Sequence, residues 1–310
     1  MSLVRLALVV AAATGLAPVR ERVVDLRSGQ TLQWLSCDAP GRLPFAAPPP
    51  FVVFVHGTFH GAWCWAEAWL PRFAERHGID AHAVSLRGTS ASPNVNDGRP
   101  VKLSEHAADL SEALAAVAPG RPVHLVAHSF GGPVVVDALA EGLEDVAGLA
   151  LLCSVPPRGN SPQVRRVLFS SLRDAWLITR AFALKTAGKN PDDANKVFFN
   201  GVLDDATAAR YASRFQADGA TGLDLGDYTR SLPRWPTDAD GAWTRKPHDL
   251  KALVVGCGAD FVVDEIAVRE MAAFLRVDPV LIPDAPHDLM LAPGVAPAAA
   301  DLVADWVLAS

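Results

Sequence analysis

The stretch from Val123 to Leu139 limits what this 310-residue chain can fold into more than any other. Val123-His124-Leu125-Val126-Ala127 reads as a buried strand, His128-Ser129-Phe130-Gly131-Gly132 as an abrupt turn, and Pro133 to Leu139 as a tightly packed helix. A strand that passes through so short a turn into a helix brings two backbones together. The residues two before and two after the apex must therefore be small. Ala127 and Gly131 meet that demand. The turn lifts the Ser129 oxygen above the end of the strand, and it presents the Phe130 amide at the helix N-terminus, where partial positive charge favours an anion. Read blandly, this is a strand-to-helix turn that happens to hold a serine. Read as chemistry, it needs a base, a carboxylate and a second amide donor from elsewhere in the chain.

The remaining sequence alternates regularly. Runs 23–26 and 32–37 flank Ser28-Gly29-Gln30 and read as an antiparallel hairpin. Residues 40–50 are a proline-rich loop, and 51–55 are apolar at every position, as in a strand covered on both faces. A helix over 65–76, a strand over 79–86 and a helix presenting Leu110, Leu114 and Val117 lead to the Ser129 turn; a strand over 146–152 follows it. Beyond a gap of about a hundred residues come a strand at 252–256, a helix presenting Val268, Met271 and Leu275, a strand at 280–282 and a last helix with Leu302, Val303 and Trp306. This pattern predicts an α/β fold, a mostly parallel sheet with helices on both faces. The gap is too long for a loop and has its own helix starts at Ser161-Pro162, Asn190-Pro191 and Asp204. It is read as a helical cap over 156–248, inserted into a core made of 19–155 and 249–310. Its dense aromatics, from Phe169 to Tyr228, are expected to face down onto Ser129 and line an apolar cleft.

A formal charge of −6, a pI near 5.8 and the lack of a basic run argue against a nucleic-acid partner. Residues 1–18 hold one basic residue, Arg5, an apolar run over 6–13 and small residues after it. That run is too short to be a transmembrane span and fits a targeting segment, secretory or plastid, with a small-residue cleavage site. Ala13-Thr14-Gly15-Leu16-Ala17-Pro18 resembles the cleavage motif of algal plastid pre-proteins. The alternatives are an apolar strand or helix packed on the domain, and a soluble cytoplasmic protein. Cys37, Cys64, Cys153 and Cys257 lack metal-type spacing and read as free buried thiols.

With strand, turn and helix in place around Ser129, the chain resembles the α/β-hydrolases from about Val23 to its C-terminus. The resemblance implies a catalytic order of serine, acid and histidine, each on a loop after a strand. His287 follows the last strand, whereas His248 precedes the acid strand. In Gly256-Cys257-Gly258-Ala259-Asp260-Phe261-Val262-Val263 the family's acid corresponds to Asp260. The rival, Asp264, stands where the next helix needs an N-cap; Asp284 and Asp288 read as surface or turn residues. His56-Gly57-Thr58-Phe59-His60-Gly61-Ala62-Trp63 resembles the His-Gly-x-x-His-Gly-Ala-Trp signature of plant esterases and hydroxynitrile lyases. By position the Thr58 amide is then the second oxyanion donor beside that of Phe130, with Gly57 letting the backbone turn. Phe59 and His128 are expected to wall the substrate pocket, and His56 and His60 to hold the loop by hydrogen bonds.

The resemblance implies a serine hydrolase that cleaves a carboxylic ester of a largely apolar small molecule through an acyl-enzyme, without metal or cofactor. Ser129 attacks, His287 carries the proton and Asp260 orients the imidazole. A hydroxynitrile-lyase-like C–C lyase is one alternative, but those enzymes carry a lysine after the catalytic histidine, where Asp288 stands. A ligand receptor built on the same scaffold is another. The run 152–161, with 260–264, also resembles plant and algal plastid α/β-hydrolases and points to a chlorin or lipid ester.

Overall fold

A computed structural model describes residues 4–10, 17–40, 49–95, 99–219, 224–232 and 234–310. The chain enters its sheet through three antiparallel strands, β1 (Val4–Val10), β2 (Val19–Asp25) and β3 (Thr31–Cys37). The predicted hairpin is β2–β3, with Val24 opposite Leu32. The backbone of β1 belongs to the segment read as a targeting sequence; residues 1–3 and 11–16 of that segment lie outside the described residues, as do 41–48 of the proline-rich loop.

Strand β4 (Phe51–Val55) is buried at all five positions. It is followed by α1 (Trp63–Ala66) and α2 (Trp69–His77), where the sequence predicts one helix over 65–76. Pro71 accounts for the break. In a continuous helix its ring would meet the carbonyl of Glu67, so the chain resets at Ala68 and restarts with Pro71 in the first turn, where no amide hydrogen is needed. The restart lets Trp65, Trp69 and Phe73 all pack on Phe54, with ring centroids 4.8, 5.8 and 5.0 Å away. Burying each such side chain contributes roughly 1.5–3 kcal/mol.

The first half closes with β5 (Asp80–Val84), α3 (Leu103–Val117), β6 (Val123–His128), α4 (Gly131–Ala140) and β7 (Val146–Leu152). Five helices then intervene: α5 (Ser161–Ser170), α6 (Leu172–Ala183), α7 (Pro191–Phe199), α8 (Asp205–Asp218) and α9 (Leu225–Arg230). Asn190 and Asp204 cap α7 and α8 with their side chains, as the sequence predicts, and Ser171 caps α6; Ser161, read as the cap of α5, is instead its first residue, with Asn160 before it and no side-chain cap bond. The chain ends with β8 (Lys251–Cys257), α10 (Glu265–Leu275), β9 (Pro279–Ile282) and α11 (Ala296–Ala309).

Among the described residues the sheet has nine strands in the order β1-β2-β3-β5-β4-β6-β7-β8-β9, parallel from β5 onward. The parallel register has a direct consequence for the site. It aligns His128 with Leu152, Leu152 with Val255 and Cys257 with Ile282, so the loops after β6, β8 and β9 leave the same edge of the sheet. Those loops carry Ser129, Asp260 and His287. No described helix is long and apolar enough to cross a membrane.

Candidate active site

Ser129 sits between β6 and α4 with a left-handed backbone, φ 51°. An L residue held there costs on the order of 1 kcal/mol, and the surroundings must impose it. Its amide donates to the Leu152 carbonyl at 3.0 Å and its carbonyl accepts from the Gly132 amide at 3.1 Å. A Cβ on Gly131 would lie 2.6 Å from the His56 carbonyl, so the close strand–helix approach does exclude larger residues.

The His287 ring lies between Ser129 and Asp260. Its Nε2 is 3.1 Å from Ser129 Oγ and its Nδ1 is 2.8 Å from Asp260 Oδ2. The other Asp260 oxygen accepts from the amides of Val262 at 2.6 Å and Val263 at 2.8 Å. With Nδ1–H donating to the carboxylate, Nε2 is left to accept the serine proton. Asp264, the rival acid, is elsewhere. It caps α10 through the Ala267 amide and forms a two-pronged pair with Arg166 of α5.

The loop after β4 comes up against the serine from the other side. A Cβ on Gly57 would lie 2.7 Å from Ser129 Cβ, so glycine is needed there for space. The turn expected of Gly57 is made two residues later, at Phe59, φ 69°. Thr58 and Phe130 both border a small void of about 30 Å³ between this loop and α4. The Phe59 ring is buried edge-on against Phe182 of α6, centroids 5.7 Å apart.

Two histidines of the loop hold it, as expected, though in different charge states. His56 Nδ1 donates to the Gly57 carbonyl at 2.8 Å and its Nε2 accepts from the Leu86 amide at 2.9 Å. Burial lowers its pKa to about 4, so the ring is neutral. His60 donates from both nitrogens, to the Thr58 carbonyl and to Asp288 Oδ2, each at 2.8 Å. Burial opposes its charge, yet the Asp288 carboxylate outweighs burial and raises its pKa. Asp288 lies in a turn, one of the two places the sequence offers it, but it is no surface residue: it is fully buried and forms an ion pair with His60.

His128 also differs from expectation. Its ring is wholly buried, so it cannot wall a pocket; Nε2 lies 2.9 Å from the His287 carbonyl and steadies that loop from beneath. Burial, then the nearby His287 and His60, pushes its pKa well below the usual value. Two groups bring metal-ligating atoms within 4.8 Å of one another, His128–His287–Asp288 and Cys153–Asp260–His287. Both depend on a His287 ring whose two nitrogens are already engaged by Ser129 and Asp260. Cys153 and Cys257, at the ends of β7 and β8, lie with sulfurs 3.0 Å apart behind Asp260, and burial raises the Cys153 thiol well above its usual pKa.

A cavity of about 510 Å³ opens between α5, α6 and α9 and reaches Phe130, the neighbour of Ser129. Its lining is mostly apolar, with Leu168, Ile178, Phe182 and Val262 among its walls, and the Tyr228 hydroxyl borders it buried and without a partner. Of the inserted aromatics, Phe198, Phe215 and Tyr228 are buried toward the core, and Phe198 stands 6.1 Å from the His287 ring. Phe169 and Trp176 instead face solvent, against the expectation that the inserted aromatics face down onto Ser129.

The chain is similar to several known proteins. Norfluorocurarine synthase 1 of Strychnos sp is 34% identical over 163 residues, 53% of this chain and 56% of that protein. Probable esterase PIR7A of Oryza sativa subsp. indica is 36% identical over 105 residues, 34% of this chain and 39% of its own. The chain therefore spans about half or less of the length of these relatives. The crystal structure of epoxide hydrolase VrEH1 from Vigna radiata superposes with a TM-score of 0.66 over 94% of this chain and 98% of that one, at 17% identity, a likeness of fold alone. The sequence profile described as Alpha/beta hydrolase family matches residues 52–300, and with strand order and turn in agreement the chain belongs to the alpha/beta hydrolase family.

Proposed function

We propose that the protein is a serine hydrolase that cleaves a carboxylic ester of a largely apolar substrate through an acyl-enzyme. The observation that carries this reading is the continuous hydrogen-bond chain Ser129–His287–Asp260, at 3.1 and 2.8 Å. Ser129 Oγ attacks the ester carbonyl carbon while His287 Nε2 takes its proton. The Thr58 and Phe130 amides hold the resulting oxyanion, and Asp260 stabilises the imidazolium without accepting its proton. Collapse expels the alcohol, protonated by His287. Water, deprotonated by the same nitrogen, then releases the acid and restores Ser129. The inserted helices act as a cap, and the cavity that reaches Phe130 takes the apolar part of the substrate. The esterase name of the rice relative supports the reaction class.

A fluorophosphonate probe should label the native protein and leave Ser129→Ala unlabelled; equal labelling of both would overturn the nucleophile. A p-nitrophenyl ester series tests the cavity. Each methylene that enters it contributes up to about 0.8 kcal/mol, roughly fourfold in kcat/KM, so efficiency should climb from acetate until the space is filled. Highest efficiency on acetate would show that the cavity does not serve the site.

A further inference from the structure

Helices α5 and α6 bury little of themselves. Of α5 only Gln163 is buried, and of α6 only Ala175 and Ala181; Val167, Leu177, Ile178 and Phe182 turn partly inward, while five other large apolar side chains are exposed. Phe169 is 83% exposed, Leu172 75% and Trp176 59%, with Val164 and Leu168 beside them at nearly half. Val164 and Leu168, which also border the cavity, lie one turn apart on α5, Leu172 and Trp176 lie one turn apart on α6, and Phe169 stands at the junction of these consecutive helices. Single exposed apolar residues are ordinary, but five within thirteen residues of one helix pair mark a docking surface.

Charge identifies the partner. From Arg158 to Lys189 the chain holds seven arginines and lysines against one acid, Asp174, although the whole chain carries −6. Arg166 and Arg180 are drawn inward by Asp264 and Asp193. Arg165, Arg173 and Lys189 remain exposed, Arg165 next to Val164 and Arg173 next to Leu172. Tryptophan, phenylalanine and leucine flanked by arginine form the composition of a helix that lies in the headgroup region of an anionic bilayer. A second copy of this chain fits less well, because a two-fold contact would bring the same cations together. A nucleic acid would meet apolar side chains at the centre of the patch.

We propose that the α5–α6 face docks on an anionic lipid surface, with Phe169, Leu172 and Trp176 entering the headgroup boundary and Arg165 and Arg173 pairing with lipid phosphates. The cavity walls include Val164, Arg165 and Leu168, so docking would place its entrance against the membrane. That last consequence rests on the ester-hydrolase reading; the docking itself does not.

The test is co-sedimentation of the full chain with vesicles of phosphatidylcholine alone and of equal parts phosphatidylcholine and phosphatidylglycerol. Binding is expected to the anionic vesicles, to weaken with added salt, and to be near background on the neutral ones. Arg165→Gln and Arg173→Gln should each weaken it about fivefold. The double variant Phe169→Ser/Trp176→Ser should weaken it about tenfold or more. These side chains are exposed, and circular dichroism with thermal melts establishes that each variant is folded. Ser129→Ala should bind as the native protein does, which separates docking from chemistry. Absence of binding, equal binding to both vesicle types, or indifference to all four substitutions would overturn the proposal. So would a dimer in sedimentation velocity that the Phe169→Ser/Trp176→Ser change dissolves, since a second copy would then own the face.

Discussion

Asp260 and Asp264 stand one helical turn apart in sequence and have separate tasks. Asp260→Asn should lower kcat by about 10³- to 10⁴-fold, because an amide favours the wrong tautomer of His287. Asp264→Asn should leave kcat within a few-fold, and its half-exposed pair with Arg166 is worth no more than about 1 kcal/mol. Steady-state kinetics on one ester decides between them. Asp288 makes a different prediction. It holds His60 charged, and His60 in turn holds the Thr58 carbonyl. Asp288→Asn should lower the His60 titration, followed by NMR of the ring proton, since burial then faces only the Thr58 carbonyl and the more distant Asp218. A roughly tenfold fall in kcat with little change in KM should accompany it, as the Thr58 amide drifts from the oxyanion. The Ser129, Asp260 and His287 positions were legible because each follows an apolar run of strand length. The Asp288–His60 pair was not, since it joins residues from distant loops and nothing local marks it.

At the scale of elements, the inserted helices are fastened to the core by buried carboxylates. Asp218, at the end of α8, accepts from Trp63 Nε1 at 2.7 Å and from the Ser90 amide at 2.5 Å. Asp218→Ala orphans both donors and should cost about 2–4 kcal/mol in urea unfolding, while Asp218→Asn keeps an acceptor and should cost less. Asp137 of α4 plays the same part for Arg234 and Trp235. Most strands and helices could be read from periodicity, and Asn190 and Asp204 announced α7 and α8. The α1–α2 break was legible in principle from Pro71. The orientation of α5 and α6 was not. A helical period locates apolar positions, but only the packing reveals that Phe169, Leu172 and Trp176 face outward.

For the whole molecule, buried histidines set the dependence of stability on pH. Burial lowers the pKa of His56 to about 4 and of His106 to about 3. The unfolded chain protonates these rings near pH 6.5 while the folded one resists, so stability falls as pH drops below that point. The slope is about 1.4 kcal/mol per pH unit for each ring. His60 works in the opposite sense: its raised folded pKa gives stability that is complete below about pH 6.5 and lost as pH rises through the folded value. Thermal midpoints should therefore be highest near pH 6.5 and fall steeply toward pH 5, and His106→Asn should flatten the acid limb. The sheet also governs how the molecule is made. β7 and β8 are hydrogen-bonded neighbours, Gly148 opposite Lys251, with all five inserted helices between them. Closing a span of about a hundred residues costs about 2 kcal/mol more than closing ten, so this pairing waits until the insertion has condensed. On the ribosome Ser129 emerges long before Asp260 and His287. On the proposed reading, a nascent chain thus carries its nucleophile unarmed, and reactivity arrives only when the last parallel strands are zipped into place.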